Sequence, residues 1–349
     1  MPPTPKHPPG AFDARERRSL AGYACAVAVL HLLGWGLCLG YLGHHPAMLG
    51  LGLSAYLIGM RHAFDADHIA AVDDTVRLLL HKGRAPLGAG FFFSLGHSTV
   101  VFVLALLSAL FAAVIRPHLP ALGALGGIIG GLVSGLFLCG AGLLNLLVLL
   151  DMLQLWRRRR VPHAHCHLDA LLARRGLLNR LCGRRFTSRI GHAWQMYPVG
   201  VLFGLGFDTA SEIALLALTG GAAASRLPAG AVLALPLLFA AGMALMDTAD
   251  GVLMTRAYGW AFLDPVRRMF YNLTTTSLSV AAALLIGGIE LAQVLVRALG
   301  VHAPWADALG RLSFSTMGYL LVALFLGAWT LSYAAWRLGR FGSAAATGG

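Results

Sequence analysis

Residues 48–80 read "MLGLGLSAYLIGMRHAFDADHIAAVDDTVRLLL". The segment is longer than the roughly 20 mostly apolar residues that cross a bilayer. Its centre, "RHAFDADHI" at 61–69, nevertheless holds an arginine, two histidines and two aspartates. The fold turns on whether this is a soluble helix or a membrane helix with ionisable groups at depth. Composition decides: the chain is 57% hydrophobic and 12% charged, with a mean hydropathy of +0.71, where a soluble domain carries about a quarter charged residues.

The 349-residue chain is therefore read as an all-α polytopic membrane protein. Apolar runs that begin near Leu20, Met48, Pro86, Ala121, Tyr197, Leu227, Leu273 and Leu312 predict eight transmembrane helices, the last ending near Leu338. The expected division is an N-terminal tail at 1–19, one transmembrane domain at 20–338, and a C-terminal tail at 339–349. A basic, His-containing loop at about 154–195 interrupts the domain.

A net charge of +12 raises nucleic acid as a partner, but its distribution argues for topology instead. With the N-terminus inside, cytoplasmic segments hold Lys6, Arg15, Arg17 and Arg18, then Arg77, Lys82 and Arg84, the loop from Arg157 to Arg189, Arg256, Arg267 and Arg268, and Arg337 and Arg340. Outer segments keep only Arg116, Arg226, Arg297 and Arg311. This is the positive-inside pattern for two cytoplasmic termini, and nucleic acid is set aside. The Pro-rich start and a first apolar run without an A-x-A-like site read as a tail and anchor rather than a cleaved signal. The five cysteines show no C-x-x-C pairing, so no disulfide framework is expected.

Ionisable residues inside spanning segments cost about 2.5–3.5 kcal/mol each and mark ion or proton pathways. Here they cluster: Arg61, His62, Asp65, Asp67 and His68 on the second predicted helix; His97 in "SLGHSTVV" on the third; Asp208 and Glu212 in "GLGFDTASEI" on the fifth; Asp247 and Asp250 in "GMALMDTADG" on the sixth. Imidazole nitrogen with carboxylate oxygen suits a first-row divalent transition metal, and the lack of a Cys cluster at depth argues against Cu(I). One buried His–Asp pair would be read as structural. Four clusters offering N/O ligands point to a metal pathway, with His62, Asp65, Asp67, His68, His97, Asp208, Glu212, Asp247 and Asp250 as candidate metal residues.

In a regular helix at about 100° per residue, His62, Asp65 and His68 share an arc of about 120° while Asp67 faces away. Asp67 then either orients an imidazole from outside the metal's ligands or contacts the ion because the helix unwinds, a break that Gly59 makes plausible. "AFDADHIAAV" from Ala63 and "GFDTASEIALL" from Gly206 also resemble each other, and Phe93-Ser-Leu-Gly96 parallels Phe239-Ala-Ala-Gly242. A shift of three helices would make this an inverted repeat of helices 2–4 and 5–7, an arrangement that places substrate near the midplane between discontinuous helices.

Taken together, "RHAFDADHI", "LGHSTVV", "LGFDTASE" and "GMALMDTAD" resemble the signature motifs of the nickel/cobalt transporter family of secondary metal permeases. The resemblance implies uptake of Ni²⁺ and/or Co²⁺ across the bacterial cytoplasmic (inner) membrane. The metal ion is cargo, no cofactor is implied, and the chain is not an enzyme. The family's His-x4-Asp-His element falls on His62, Asp67 and His68, and His97, Asp208, Glu212, Asp247 and Asp250 occupy the polar positions of the other motifs. Residue size at Phe64 is expected to tune the preference between the two metals. Ser211 stands where the family commonly has Thr, and both carry a hydroxyl.

No G-x-x-x-x-G-K-[ST] element is present in the sequence. The membrane potential would supply about 4.6 kcal/mol per 100 mV for an inward dication. A metal exporter is the closest rival, since the same ligands serve either direction. An intramembrane aspartyl protease is a more distant one, with its Gly-x-Gly-Asp pattern interrupted here by Phe207. Four further features carry expectations. "VPHAHCHLD", with His163, His165, Cys166 and His167, is read as a solvated loop with metal buffering as the alternative. His31 is expected to be hydrogen-bonded within the fold, and Asp73 with Arg77 to form a local ion pair. Gly127, Gly131 and Gly135 read as small-xxx-small packing, against a neighbouring helix or between copies of the chain in a homo-oligomer.

Overall fold

The computed structural model describes residues 13–111, 119–157, 191–205, 210–261, 265–301, 303–312, 316–327 and 330. Every regular element among them is helical: α1 Ala14–Gly40, α2 Ala47–His62, α3 Ala66–His81, α4 Ala89–Leu110, α5 Leu119–Arg157, α6 Met196–Gly204, α7 Ala210–Ala224, α8 Ala229–Ala261, α9 Pro265–Ala298, α10 Pro304–Gly310 and α11 Thr316–Gly327. Five of these, α1, α4, α5, α8 and α9, contain stretches long and apolar enough to cross a membrane. Large apolar side chains face outward on them, including Leu32, Leu136 and Leu285, each more than 60% exposed. Apolar surface on that scale calls for lipid rather than water, and the chain is a multi-pass membrane protein.

The second predicted helix is two helices, α2 and α3, joined by a turn at Ala63–Asp65. Phe64 and Asp65 close that turn by donating to the carbonyls of Arg61 and His62 at 3.0 and 2.9 Å. Asp65 then adopts extended backbone (φ −65°, ψ 142°) at the N-cap of α3. Aspartate favours this position because its carboxylate can accept from the first helical N–H groups. Here the side chain makes no cap bond and turns to His62 instead. The break thus lies at Ala63–Asp65 and not at Gly59, and the regular-helix geometry that set Asp67 apart does not apply. On the fifth predicted helix, α6 ends in a turn at Leu205 and α7 begins at Ala210, with 206–209 outside the described residues.

Gly59 has another use: a Cβ there would overlap the Phe239 carbonyl, so its lack of a side chain lets α2 lie against α8. Gly242 does the same from the other side, where a Cβ would meet the Tyr56 carbonyl at 2.5 Å. A matching contact joins α4 and α6: a Cβ on Gly200 would overlap the Phe93 carbonyl, and one on Gly96 the Tyr197 carbonyl. The two pairs share a pattern, Tyr-x-x-Gly on α2 and α6 against Phe-x-x-Gly on α8 and α4.

α5 and α9 form a third close pair. Cβ atoms on Gly131 and Gly135 would fall 2.7 Å from Val294 Cγ2 and 2.9 Å from Leu291 Cγ, so those two glycines of the predicted stripe serve packing within the chain. His31 behaves as expected, with Nδ1 2.8 Å from the Val27 carbonyl and Nε2 3.2 Å from the Tyr56 hydroxyl. The loop histidines His163, His165 and His167, with Cys166, lie outside the described residues, as do both chain termini.

Candidate metal centre

Breaking the second predicted helix at Ala63–Asp65 puts His62 at the end of α2 and His68 in the first turns of α3. α4 brings His97 between them. One ring nitrogen from each of the three lies within 4.8 Å of those of the other two. Ring centroids are 4.6 Å apart for His62–His68 and 4.9 Å for both His62–His97 and His68–His97. All three side chains are buried, at 3% exposure or less.

Carboxylates surround them. Glu212, in the first turn of α7, places Oε1 2.9 Å from His97 Nε2 and 3.9 Å from His62 Nε2. The two Nε2 atoms face each other at 3.0 Å. Donor atoms about 2.0–2.1 Å from one ion stand roughly 2.9–3.4 Å apart when they are neighbours around it. The His97–Glu212 and His62–His97 separations, 2.9 and 3.0 Å, match that spacing, while His62–Glu212 at 3.9 Å is wider.

On the far edge of two rings sits an acid. His62 Nδ1 is 3.1 Å from Asp65 Oδ2, and His68 Nδ1 is 3.3 Å from Asp247 Oδ2 on α8. An imidazole that donates Nδ1–H to a carboxylate is held in one tautomer and leaves Nε2 as the basic atom. His68 Nε2 is buried without a hydrogen-bond partner, as are His97 Nδ1 and Asp67 Oδ1. Three imidazoles with carboxylates within reach offset a divalent charge at a depth where water does not. The donor set fits a borderline transition-metal dication as cargo.

The structure brings together His62, Asp65, His68, His97, Glu212 and Asp247. Asp67 is buried in the first turn of α3 and lies within electrostatic reach of His62 and Asp65. Asp250 stands apart from the cluster, close enough for its charge to interact with Asp247 and with Asp73. Asp208 falls outside the described residues. The aromatic wall is Phe93, whose ring meets His68 edge-on at 4.9 Å, and Phe239, 5.5 Å from His62. The ring of Phe64 packs instead on Tyr319 of α11 at 5.5 Å.

Sequence reasoning had placed Phe93 and Phe239 in parallel positions without giving them this role. It passed over Ser94 and Ser98, which flank His97 with buried, unpartnered hydroxyls, and Asn145, whose only signal was a lone amide in an otherwise apolar run. The expected Asp73–Arg77 pair is present at 3.1 Å. It is more than a local pair, because both residues are buried and bonded to α8 and α9.

A family model described as "High-affinity nickel-transport protein" matches residues 48–335. The chain is 47% identical over 326 residues to the nickel transporter NixA of Staphylococcus aureus, covering 93% of this chain and 96% of that one. It is 48% identical over 343 residues to the nickel transporter NicT of Mycobacterium tuberculosis, covering 95% and 92%. Against the cobalt transport protein NhlF of Rhodococcus rhodochrous it is 46% identical over 338 residues, covering 94% and 95%. No solved structure matches the chain.

Proposed function

Since the chain belongs to the high-affinity nickel-transport family, we propose that it is a secondary permease that takes up Ni²⁺, and Co²⁺ as a related cargo, across the bacterial cytoplasmic membrane. The observation that carries the reading is the convergence of His62, His68 and His97, with ring nitrogens within 4.8 Å of one another, and of Glu212 at 2.9 Å from His97, inside a membrane-spanning bundle. In this account His62, His97 and Glu212 contact the ion, and His68 contributes Nε2. Asp65 and Asp247 orient imidazoles, and Asp67 adds negative charge beside them. Asp250 and Asp208 belong to the pathway. The relatives' names as nickel and cobalt transporters support both metals as cargo.

Transport follows from the architecture proposed here: eight spans with both termini cytoplasmic, made of five continuous helices, the pairs α2/α3 and α6/α7, and a last span containing α11. The reciprocal glycine contacts of α2 with α8 and of α4 with α6 support an inverted repeat. In such a repeat, two halves rock about a central site and expose it to each side in turn. The potential favours inward movement of a dication by about 4.6 kcal/mol per 100 mV.

The test is accumulation of radiolabelled nickel at trace concentration in cells without their own uptake systems, with His62→Ala as control and cobalt as competitor. Accumulation that His62→Ala abolishes supports import through this site. A well-expressed intact protein that lowers cell nickel makes it an exporter instead. The pairing of Asp247 and Glu212 with imidazoles, rather than with each other, favours neither enzyme chemistry nor the shared proton an aspartyl protease needs.

A further inference from the structure

Two neighbouring carboxylates of α3, Asp73 and Asp74, are each 1% exposed, and one cation, Arg77, stands a turn further along. Asp73 takes it. Arg77 Nε donates to Asp73 Oδ2 at 3.1 Å, and the hydroxyls of Tyr258 and Ser279 donate to the same carboxylate. The guanidinium also donates to the Tyr258 hydroxyl and to Thr276 Oγ1, and it lies 3.9 Å over the Tyr258 ring. That charge pair is complete.

Asp74 has no such set. Its Oδ1 accepts from Asn145 Nδ2 of α5 at 2.7 Å, while its Oδ2 is buried with no hydrogen-bond partner. The Oδ1 of Asn145 is equally buried and unpartnered. A carboxylate ion here would leave two buried negative charges, Asp73 and Asp74, sharing the single cation Arg77 among the described residues, an imbalance proteins avoid by neutralising a group. A proton on Oδ2 removes the charge and turns an unpartnered acceptor into a hydrogen-bond donor. The charged groups acting on Asp74 are Asp73 and Arg77, on its own helix. Around them α8 presents Tyr258 and Asp250, and α9 presents the neutral hydroxyls of Thr276 and Ser279.

Location gives this acid a use. Asp250 interacts electrostatically with Asp247, at the metal cluster, and with Asp73, beside Asp74. Asp250 thus lies within electrostatic reach both of Asp247, which pairs with His68, and of Asp73, the sequence neighbour of Asp74. Resting on the permease reading above, we infer that Asp74, paired with Asn145, is a proton-binding site that couples movement of the metal ion to movement of a proton. The O–H bond at Oδ2 forms as a proton arrives from water. It breaks as the field of the passing dication returns that proton to water, leaving a carboxylate that balances the ion's charge.

Two readouts on the purified full chain test this. Infrared difference spectra should show a buried protonated-carboxyl band, sensitive to deuterium, that Asp74→Asn removes. The asparagine keeps the acid's shape and a hydrogen-bond donor, so the fold is retained. In proteoliposomes, the rate of Ni²⁺ entry with an imposed pH gradient, divided by the rate without one, should differ from one for the intact protein. It should fall to one for Asp74→Asn and be restored by Asp74→Glu. A missing band in the intact protein overturns the proton site, as does a gradient ratio that Asp74→Asn leaves unchanged. If the intact protein moves no nickel, the permease reading fails and the coupling role with it, and the band alone decides whether Asp74 holds a proton.

Discussion

Replacing Asp65 by alanine separates the orientation of the metal site from its ligands. Asp65 Oδ2 lies 3.1 Å from His62 Nδ1, which directs His62 Nε2 to His97 and Glu212. Without the carboxylate the ring loses its fixed tautomer, and a negative charge near the ion disappears. Removing such a supporting acid typically costs 10- to 100-fold in metal affinity, or about 1.4–2.7 kcal/mol. Asp65 is also the N-cap of α3, where a Ser, Thr, Asn or Asp change to alanine usually costs about 1 kcal/mol of stability. Its side chain makes no cap bond here, so folding should suffer less than binding. Asp65→Asn keeps an acceptor oxygen for His62 and should stay within about tenfold of the intact protein. Equilibrium dialysis of radiolabelled nickel against detergent-solubilised protein reads the affinity, and thermal unfolding reads the stability. If Asp65→Ala binds nickel as tightly as the intact chain while His62→Ala does not, the orienting role is refuted.

Other consequences follow from burial. Arg77→Ala leaves Asp73 buried and uncompensated beside Tyr258 and Ser279, and should destabilise the protein by about 3–5 kcal/mol, seen as a large drop in Tm. Phe239→Ala removes a fully buried ring against His62. It should cost about 3–5 kcal/mol and weaken nickel binding by dialysis as the wall of the site loosens. Gly135→Leu forces a side chain against Leu291 and the Gly287 carbonyl, where a Cβ alone would stand at 2.9 and 3.1 Å. Overpacking of that kind costs about 1–3 kcal/mol, and Tm should fall while nickel affinity in the folded fraction holds.

Much of the site was legible in the sequence because charge in an apolar run is conspicuous. His62, His68, His97, Glu212 and Asp247, scattered from α2 to α8 in sequence, lie together in the fold. What stayed hidden was set by tertiary partners. Gly59 looked like the weak point of its helix, but its purpose is contact with the Phe239 carbonyl, some 180 positions away in sequence. The turn is made instead at Ala63–Asp65, and the N-cap position of Asp65 was masked by its reading as a candidate metal residue. Arg77 and Asp73 read as a local i, i+4 pair because Tyr258, Thr276 and Ser279 carry no mark of where α8 and α9 will pack. Asp74 was overlooked for the same reason, since its partner Asn145 sits on α5, outside all four motifs.

X-ray absorption at the nickel edge on the Ni²⁺-loaded, detergent-solubilised protein shows whether three imidazoles hold the transported ion. The spectrum should carry the outer-shell scattering of about three imidazole rings, reduced by roughly a third in His97→Ala, as expected for nitrogen ligands of this class. A spectrum explained by oxygen ligands alone, unchanged in His97→Ala, would contradict the three-imidazole site.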